Sequence, residues 1–422
     1  MKNTDRGLAV AVLTDILEDG AFANIALRKA LSDTELDSRS RAFVTELVNE
    51  TLRNLIQIDY AINNFSKTPV EKLKPFIRNL LRVSVCQIRF MDKIPDRAAV
   101  NEAVTMVRAH KMDNLSGFVN AVLRNISRED AGKIKSPALK YSYPKWLMKK
   151  IIDWLGESGA EDFCKNSHLP PPVIILTNTH KTDKSQLMKN LKKAGIDAIP
   201  LENSIHPFLM LRQAGDISKL AAFKDGLFFV IDPGAMFAID AMEVKPGQKV
   251  IDVCAAPGGK SFAAACLMQN EGEILSFDIH QHRVELLRQT KKRLGFSIIA
   301  PSVKDALVFD PALAGTADVV LLDAPCSGFG TIRKHPEIKY SRQMQDVLDL
   351  AKKQKEMLEI SAKYVKPGGR LVYSTCTIAQ EENDDNLDCF LENHPDFNLI
   401  DAEQILPSAT NDGFYIASFE RV

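Results

Sequence analysis

The stretch Val250 to Ser261 reads VIDVCAAPGGKS, an apolar strand that runs into a proline and two glycines and then into a helix-forming run. Asp252 closes the strand, Gly258 and Gly259 permit a tight turn, and SFAAACLM (Ser261–Met268) opens a helix whose first amides are free. A strand, a glycine turn and a helix in this order form the first unit of a parallel α/β sheet with a ligand cradle at the turn. GGKS also resembles the end of a phosphate loop, GxxxxGK[ST]. The first glycine of that loop falls on Cys254, and Pro257 removes an amide that phosphates would use. A turn without any ligand is the third possibility.

The strands that follow favour another occupant. EILSFDI (Glu273–Ile279) ends near Asp278, at the spacing where a carboxylate meets ribose hydroxyls. Asp305 follows a further apolar stretch, and Asp323 closes the apolar strand VVLL (Val319–Leu322). Taken singly, each acid fits a helix cap or a solvated strand end. Together, carboxylates at successive strand ends line one crevice and point to a cationic, hydroxyl-bearing ligand. S-adenosylmethionine, with its sulfonium charge, matches that description.

Two cysteines stand on the next strand ends. Asp323 begins DAPCSGFGTIRKHPEIKY, which carries Cys326, and the strand Arg370–Thr375 runs into Cys376 in YSTCTIAQEEN. A lone cysteine at a strand end is usually a small buried hydrophobe. A pair in one crevice suits methylation at carbon 5 of a pyrimidine. That carbon is a poor nucleophile until a thiolate adds at carbon 6, an acid near ring nitrogen 3 offsets the developing charge, and a base removes the carbon 5 proton. Asp323 has the position for the acid, and the residues alone do not rank the two thiols.

VCAAPGGKS, DAPCSGFGTIRKHPEIKY and YSTCTIAQEEN resemble the signature segments of the Fmu/Sun family of RNA cytosine-5 methyltransferases. The first hundred-odd residues resemble the NusB-like domain attached to the bacterial small-subunit rRNA member. The resemblance implies that Cys376 is the nucleophile, that Cys326 assists product release and that Asp323 holds the cytosine. It also implies that Cys254, Ala255, Ala256, Pro257, Gly258, Gly259 and Lys260, with Asp278, Asp305 and Asp323, line the cofactor site. The chain departs from the family pattern at Phe329, where a threonine is usual, at DPGAM (Asp232–Met236) and at Leu176, which replaces an arginine. The first change bears on how the base is seated and the others on RNA contacts. His335 to Glu337 is formally the H-x-E of zinc deaminases, but the Pro-Cys precedes it and no cysteine lies three beyond Cys326, so no metal is expected.

The 422 residues suffice for two to three domains, and 54 basic residues balance 54 acidic ones. Seven cysteines with no CxxC pair argue against both a disulfide framework and a zinc ribbon. No segment is membrane-like, and acids at Asp15, Glu18 and Asp19 exclude a leader peptide, so a cytoplasmic protein is expected. The expected fold is multi-domain: an all-α N-terminal domain (1–135), a small α+β module (145–231), possible as a ferredoxin-like sheet, and an α/β Rossmann-like methyltransferase domain (232–422) closed by GFYIASFERV as an antiparallel edge strand. A joint is expected at Ala131–Pro144. Residues 1–135 carry 21 Lys and Arg against 17 Asp and Glu, and Lys74, Arg78, Arg82 and Arg89 fall on one helical face that suits a phosphate backbone or simply solvent. The expected activity is methyl transfer from S-adenosylmethionine to carbon 5 of a cytosine in 16S rRNA or a small-subunit assembly intermediate, by a monomer. A tRNA substrate, a non-catalytic antiterminator-like RNA-binding protein and a nucleotide triphosphatase are the alternatives.

Overall fold

The computed structural model describes residues 4–129, 134, 136–202, 204–212 and 215–422. They form two compact units, Met1–His168 with Ile332–Ser341, and Leu169–Thr331 with Arg342–Val422. The expected joint at Ala131–Pro144 lies partly outside the described residues; within it, Pro137–Lys140 forms one helical turn.

The first unit is helical. Side chains start its helices where the sequence supplies caps: the Thr4 hydroxyl accepts from the Gly7 amide at 3.1 Å, and Asp37 accepts from the Ser40 amide at 2.7 Å. The helix Pro75–Phe90, begun by a proline that needs no amide partner, runs through the middle of the unit. Its Ile77, Leu80, Leu81, Val83 and Val85 are buried among Leu8, Leu13, Leu47, Val107 and Leu123. The basic ridge expected on this helix does not exist as a phosphate-facing stripe. Arg82 is buried and grips Asp59 with two hydrogen bonds of 2.8 and 2.7 Å, Arg78 pairs with Glu18, and Arg89 donates to the Glu129 carbonyl. Only Lys74 of the four is exposed. The helix has a buried face, and there carboxylates take Arg78 and Arg82 while a backbone carbonyl takes Arg89.

The second unit contains two sheets. β1 (Val173–Thr177), β2 (Asp197–Pro200), β3 (Phe208–Arg212) and β4 (Phe228–Val230) form an antiparallel sheet in the order β2-β3-β1-β4. The helix Lys184–Lys193 lays Leu187 and Leu191 against its Ile175, Leu209 and Phe228. Leu176 is buried in β1, and Asp232 caps the helix Pro233–Met242 and accepts from the Asp412 amide at 2.9 Å. Both departures from the family pattern thus have structural work here.

The larger sheet comprises β5 (Lys249–Asp252), β6 (Glu273–Asp278), β7 (Ile299–Val303), β8 (Ala317–Asp323), β9 (Val365–Thr375), β10 (Phe397–Ile405) and β11 (Phe414–Arg421), in the order β10-β11-β9-β8-β5-β6-β7. β5 to β9 are parallel, and the chain leaves β5 for β6 on one side and reaches β8 on the other. That reversal opens a crevice at the carboxyl ends of β5 and β8. GFYIASFERV is not the edge strand: β11 lies between β9 and β10, antiparallel to both. The edge is β10, whose mostly exposed FNLIDAEQI lacks the apolar alternation that would reveal a strand.

Candidate active site

Parallel registry sets the site. Asp323 at the end of β8 lies opposite Ser374 on β9, two residues before Cys376, and Asp278 lies opposite Val303, two before Asp305. The loops leaving β8 and β9 therefore start side by side, and they bring Cys326 Sγ within 3.2 Å of Cys376 Sγ. The Cys376 amide also points at Cys326 Sγ, at 3.3 Å. Contact with Cys376, together with burial, holds the Cys326 thiol far above its ordinary pKa. Cys326 therefore keeps its proton at neutral pH.

Asp323 is held from two sides. The Ser374 hydroxyl donates to one oxygen at 2.9 Å and Lys260 Nζ lies 2.6 Å from the other. Burial alone would lower the lysine's pKa, but Asp323 and then Cys376 outweigh it and raise the pKa above its usual value. The Lys260 ammonium, 5.2 Å over the Phe414 ring, is therefore a positive charge paired with the carboxylate and within electrostatic reach of the Cys376 sulfur.

The glycine turn stands beside this centre. Gly258 takes φ of 103°, and a Cβ there would fall 2.6 Å from the Phe262 ring, so the turn requires glycine. Burial pushes the Cys254 thiol far up, and Asp252, Asp323, Asp278 and Asp305 all add to the shift. The four acids therefore converge on one crevice around Cys254. Asp252 is itself buried, which pushes its pKa to about 7; one oxygen accepts from Ser261 at 2.6 Å and the other has no protein partner. Asp278 and Asp305 each accept from the amide two residues on, at 2.8 and 2.9 Å, so each also shapes its own turn. A glycine cradle, an orphaned carboxylate oxygen and converging negative charge fit an adenosine ligand with a sulfonium centre. A triphosphate would be repelled by the same charge.

Sequence reasoning missed a buried polar network behind the thiols. Glu382 accepts from the Ser327 amide at 2.9 Å and from Gln354 Nε2 at 2.8 Å, and the Ser327 hydroxyl bonds it as well. Gln354 Nε2 also reaches the Pro325 carbonyl at 2.9 Å. Residues on both sides of Cys326 are thereby fixed. Burial raises the pKa of Glu382 despite these donors. Glu382 stands six residues past Cys376 in the polar run QEEN, where nothing local sets it apart from Glu381. The deaminase-like Glu337 has another role: it caps a helix of the first unit, accepting from the Ala23 amide at 3.1 Å. Among the described residues, no group of three or more His, Cys, Asp or Glu is arranged to hold a metal.

Three family models match the chain: 16S rRNA methyltransferase RsmB/F over residues 239–420, the NusB family over 3–128, and a ferredoxin-like domain of RsmF/B-like methyltransferases over 143–218. The probable ribosomal RNA small subunit methyltransferase B of Bacillus subtilis (strain 168) is 35% identical, with all of both chains covered. The corresponding enzyme of Vibrio cholerae is 31% identical, over 98% of this chain and 96% of its own. The crystal structure of the protein PH0851 superposes with a TM-score of 0.83 at 28% identity over 99% of both chains. A methyltransferase homologue from Pyrococcus horikoshii gives 0.60 at 29% identity, over 68% of this chain and all of its own. With a NusB-like helical domain, a small α+β module and a Rossmann-like sheet in one order with these relatives, the chain belongs to the RsmB/F family of S-adenosylmethionine-dependent 16S rRNA methyltransferases.

Proposed function

We propose that this protein methylates carbon 5 of a cytosine in small-subunit rRNA through a transient bond between Cys376 and carbon 6 of the base. The observation that carries the reading is the pair of sulfurs 3.2 Å apart beside the Lys260–Asp323 ion pair. Cytosine C5 methylation needs one thiolate to add, one group to neutralise the ring and one group to assist release, and this centre offers all three.

Cys376, next to the Lys260 ammonium, adds as thiolate to carbon 6. The π pair of the C5–C6 bond moves into the ring, and Asp323 with Lys260 holds the proton that balances it at ring nitrogen 3. When bound, S-adenosylmethionine supplies an electrophilic methyl group to carbon 5. The carbon 5 proton then leaves to a water molecule or side-chain base, the C6–S bond breaks with its electron pair returning to Cys376 as thiolate, and the proton on ring nitrogen 3 goes back to the Asp323–Lys260 pair. Cys326, held protonated beside Cys376, assists this release. Gly258 and Gly259 admit the donor, while Cys254, Ala255, Ala256 and Pro257 wall its pocket. Asp278 and Asp305 take its hydroxyl and amino groups, and Ile279 and Val308, 55% and 65% exposed beside them, offer apolar faces for adenine.

Cytosine carbon 6 is shielded in a stacked helix, so the target is a loop or a flipped nucleotide in 16S rRNA or a partly assembled subunit. The division 1–135, 145–231 and 232–422 assigns RNA binding to the first two segments and catalysis to the third. No helix among the described residues is long and apolar enough to cross a membrane. The proposed action is on rRNA in the cytoplasm, by a monomer.

Purified variants test the thiol roles. Cys376→Ser abolishes both methyl transfer and covalent RNA capture, and Cys326→Ala accumulates a thiol-linked RNA adduct that survives denaturing electrophoresis. The reverse pattern would exchange the two sulfurs. Bisulfite sequencing of rRNA and tRNA from a deletion strain locates the nucleotide; loss confined to tRNA would refute the rRNA assignment.

A further inference from the structure

The two thiols belong to the same compact unit but are anchored by different means. Cys376 follows directly on β9, which β11 pairs as far as Thr375, opposite Tyr415. Asn383 grips the residues on either side of it: its side-chain oxygen accepts from the Thr375 hydroxyl at 2.7 Å, and its side-chain nitrogen donates to the Thr377 carbonyl at 3.2 Å. Cys326 has no such support from the sheet. The pairing of β8 with β9 ends at Asp323 opposite Ser374, and after the Ala324 amide donates to the Ser374 carbonyl at 2.8 Å the chain leaves the strands.

What holds the Cys326 loop instead is a buried carboxylate. Glu382 closes the short helical turn Gln380–Glu382, and the Tyr373 hydroxyl fixes its backbone by donating to its carbonyl at 2.6 Å. One carboxylate oxygen accepts from the Ser327 amide at 2.9 Å and from Gln354 Nε2 at 2.8 Å, and the other accepts from the Ser327 hydroxyl. Gln354, on the helix Met344–Ala362, donates from the same nitrogen to the Pro325 carbonyl at 2.9 Å. Its own oxygen accepts from Asn386 Nδ2 at 3.0 Å, which sets the way its amide faces. The Pro325 carbonyl and the Ser327 amide belong to the two peptide groups that flank Cys326. Both are therefore tied to Glu382, one directly and one through Gln354.

For a plain loop clamp an ion is a poor choice. None of the three donors to Glu382 carries a charge, so its desolvation is not offset by an ion pair. What the anion gives in return is charge-assisted hydrogen bonds, shorter and stronger than neutral ones, at the backbone on either side of a reacting sulfur. Its charge also adds to contact with Cys376 and to burial in keeping the Cys326 thiol protonated.

We infer that Glu382 is a positioning residue for Cys326, holding the two peptide groups that flank this thiol, so that release of the RNA adduct depends on it far more than formation does. That role rests on the thiol roles proposed above.

The test uses the full-length chain in single turnovers at saturating RNA and S-adenosylmethionine, with the covalent adduct followed on denaturing gels. Glu382→Ala slows adduct decay by about tenfold or more while adduct formation stays within about threefold, as expected when one group of a site is displaced and the other is not. Glu382→Gln, which still accepts from the Ser327 amide, keeps part of the decay rate. In a Cys326→Ala background Glu382→Ala slows decay no further, because the thiol it positions is gone. A second readout needs no methyl transfer: in a Cys376→Ser background, Glu382→Ala speeds alkylation of Cys326 by iodoacetamide by about threefold or more, read by mass spectrometry. If Glu382→Ala does not fold, Glu382→Gln and Ser327→Ala must show the same split in smaller degree. Equal losses of formation and decay, losses that add to those of Cys326→Ala, or wild-type decay and thiol reactivity in folded variants would overturn the inference. A Cys326→Ala chain that traps no adduct, with Cys326 alkylation still accelerated by Glu382→Ala, would instead overturn the thiol assignment.

Discussion

Lys260 shows how far a residue's role is set by its neighbours. By sequence it belongs to the glycine turn and so to the cofactor. In the fold its ammonium lies 2.6 Å from Asp323 and close enough to Cys376 for that sulfur to raise its pKa. Removing the charge leaves a carboxylate and a nascent thiolate to repel one another. Lys260→Met is therefore expected to lower the single-turnover methylation rate by about a hundredfold, the scale of losing one preorganised electrostatic group. RNA affinity should change little, and a filter-binding measurement beside the rate separates the two. A loss of RNA binding with an unchanged rate would return Lys260 to a substrate-contact role.

At the scale of elements, the turn between β5 and the helix Gly259–Leu267 contains two glycines with different reasons to be there. Gly258 combines φ of 103° with a phenylalanine ring 2.6 Å from where a Cβ would stand. Gly258→Ala is expected to cost about 1–3 kcal/mol and to lower the melting temperature by several degrees. At Gly259, the first residue of the helix, a Cβ would meet Ile231 at an ordinary 3.5 Å. Gly259→Ala is therefore expected to keep wild-type stability while weakening S-adenosylmethionine binding, because only the ligand needs that backbone bare. Thermal melts with and without cofactor discriminate the two. Equal destabilisation by both would mean that the turn is a plain connection.

The whole molecule carries a pH dependence that its composition hides. Burial pushes His168, at the end of the helical unit's first segment, down to about 3 from 6.5, so the folded unit keeps it neutral. The unfolded chain takes up a proton at His168 below about 6.5, whereas the folded one does so only near 3. Its contribution to stability is therefore complete above pH 6.5 and is lost as pH falls through that interval. Denaturant midpoints measured from pH 7 to 4 are expected to fall less steeply for His168→Gln than for the wild type. Parallel slopes would show that the carboxylates alone govern acid unfolding.

What the sequence determined by itself was the local order of elements and the chemistry gathered at their ends. VIDVCAAPGGKS, the acids at Asp278, Asp305 and Asp323, and the cysteines at Cys326 and Cys376 were all legible, because a strand end, a glycine turn and a thiol are properties of a few adjacent residues. What tertiary structure decided was partnership. Arg82 reads as a free cation until Asp59 is seen beside it, and Glu382 reads as solvent-facing until it is found under Ser327. Lys339, 286 residues beyond the carbonyl it caps, reads as part of a catalytic motif until it is found inside a helical core. β10 was invisible for the same reason: its residues are exposed, and pairing with β11 makes it a strand. Local pattern fixes what a residue can donate, accept or bury. Only the folded chain fixes which distant group meets it in low dielectric, and burial beside that group sets its charge and its use.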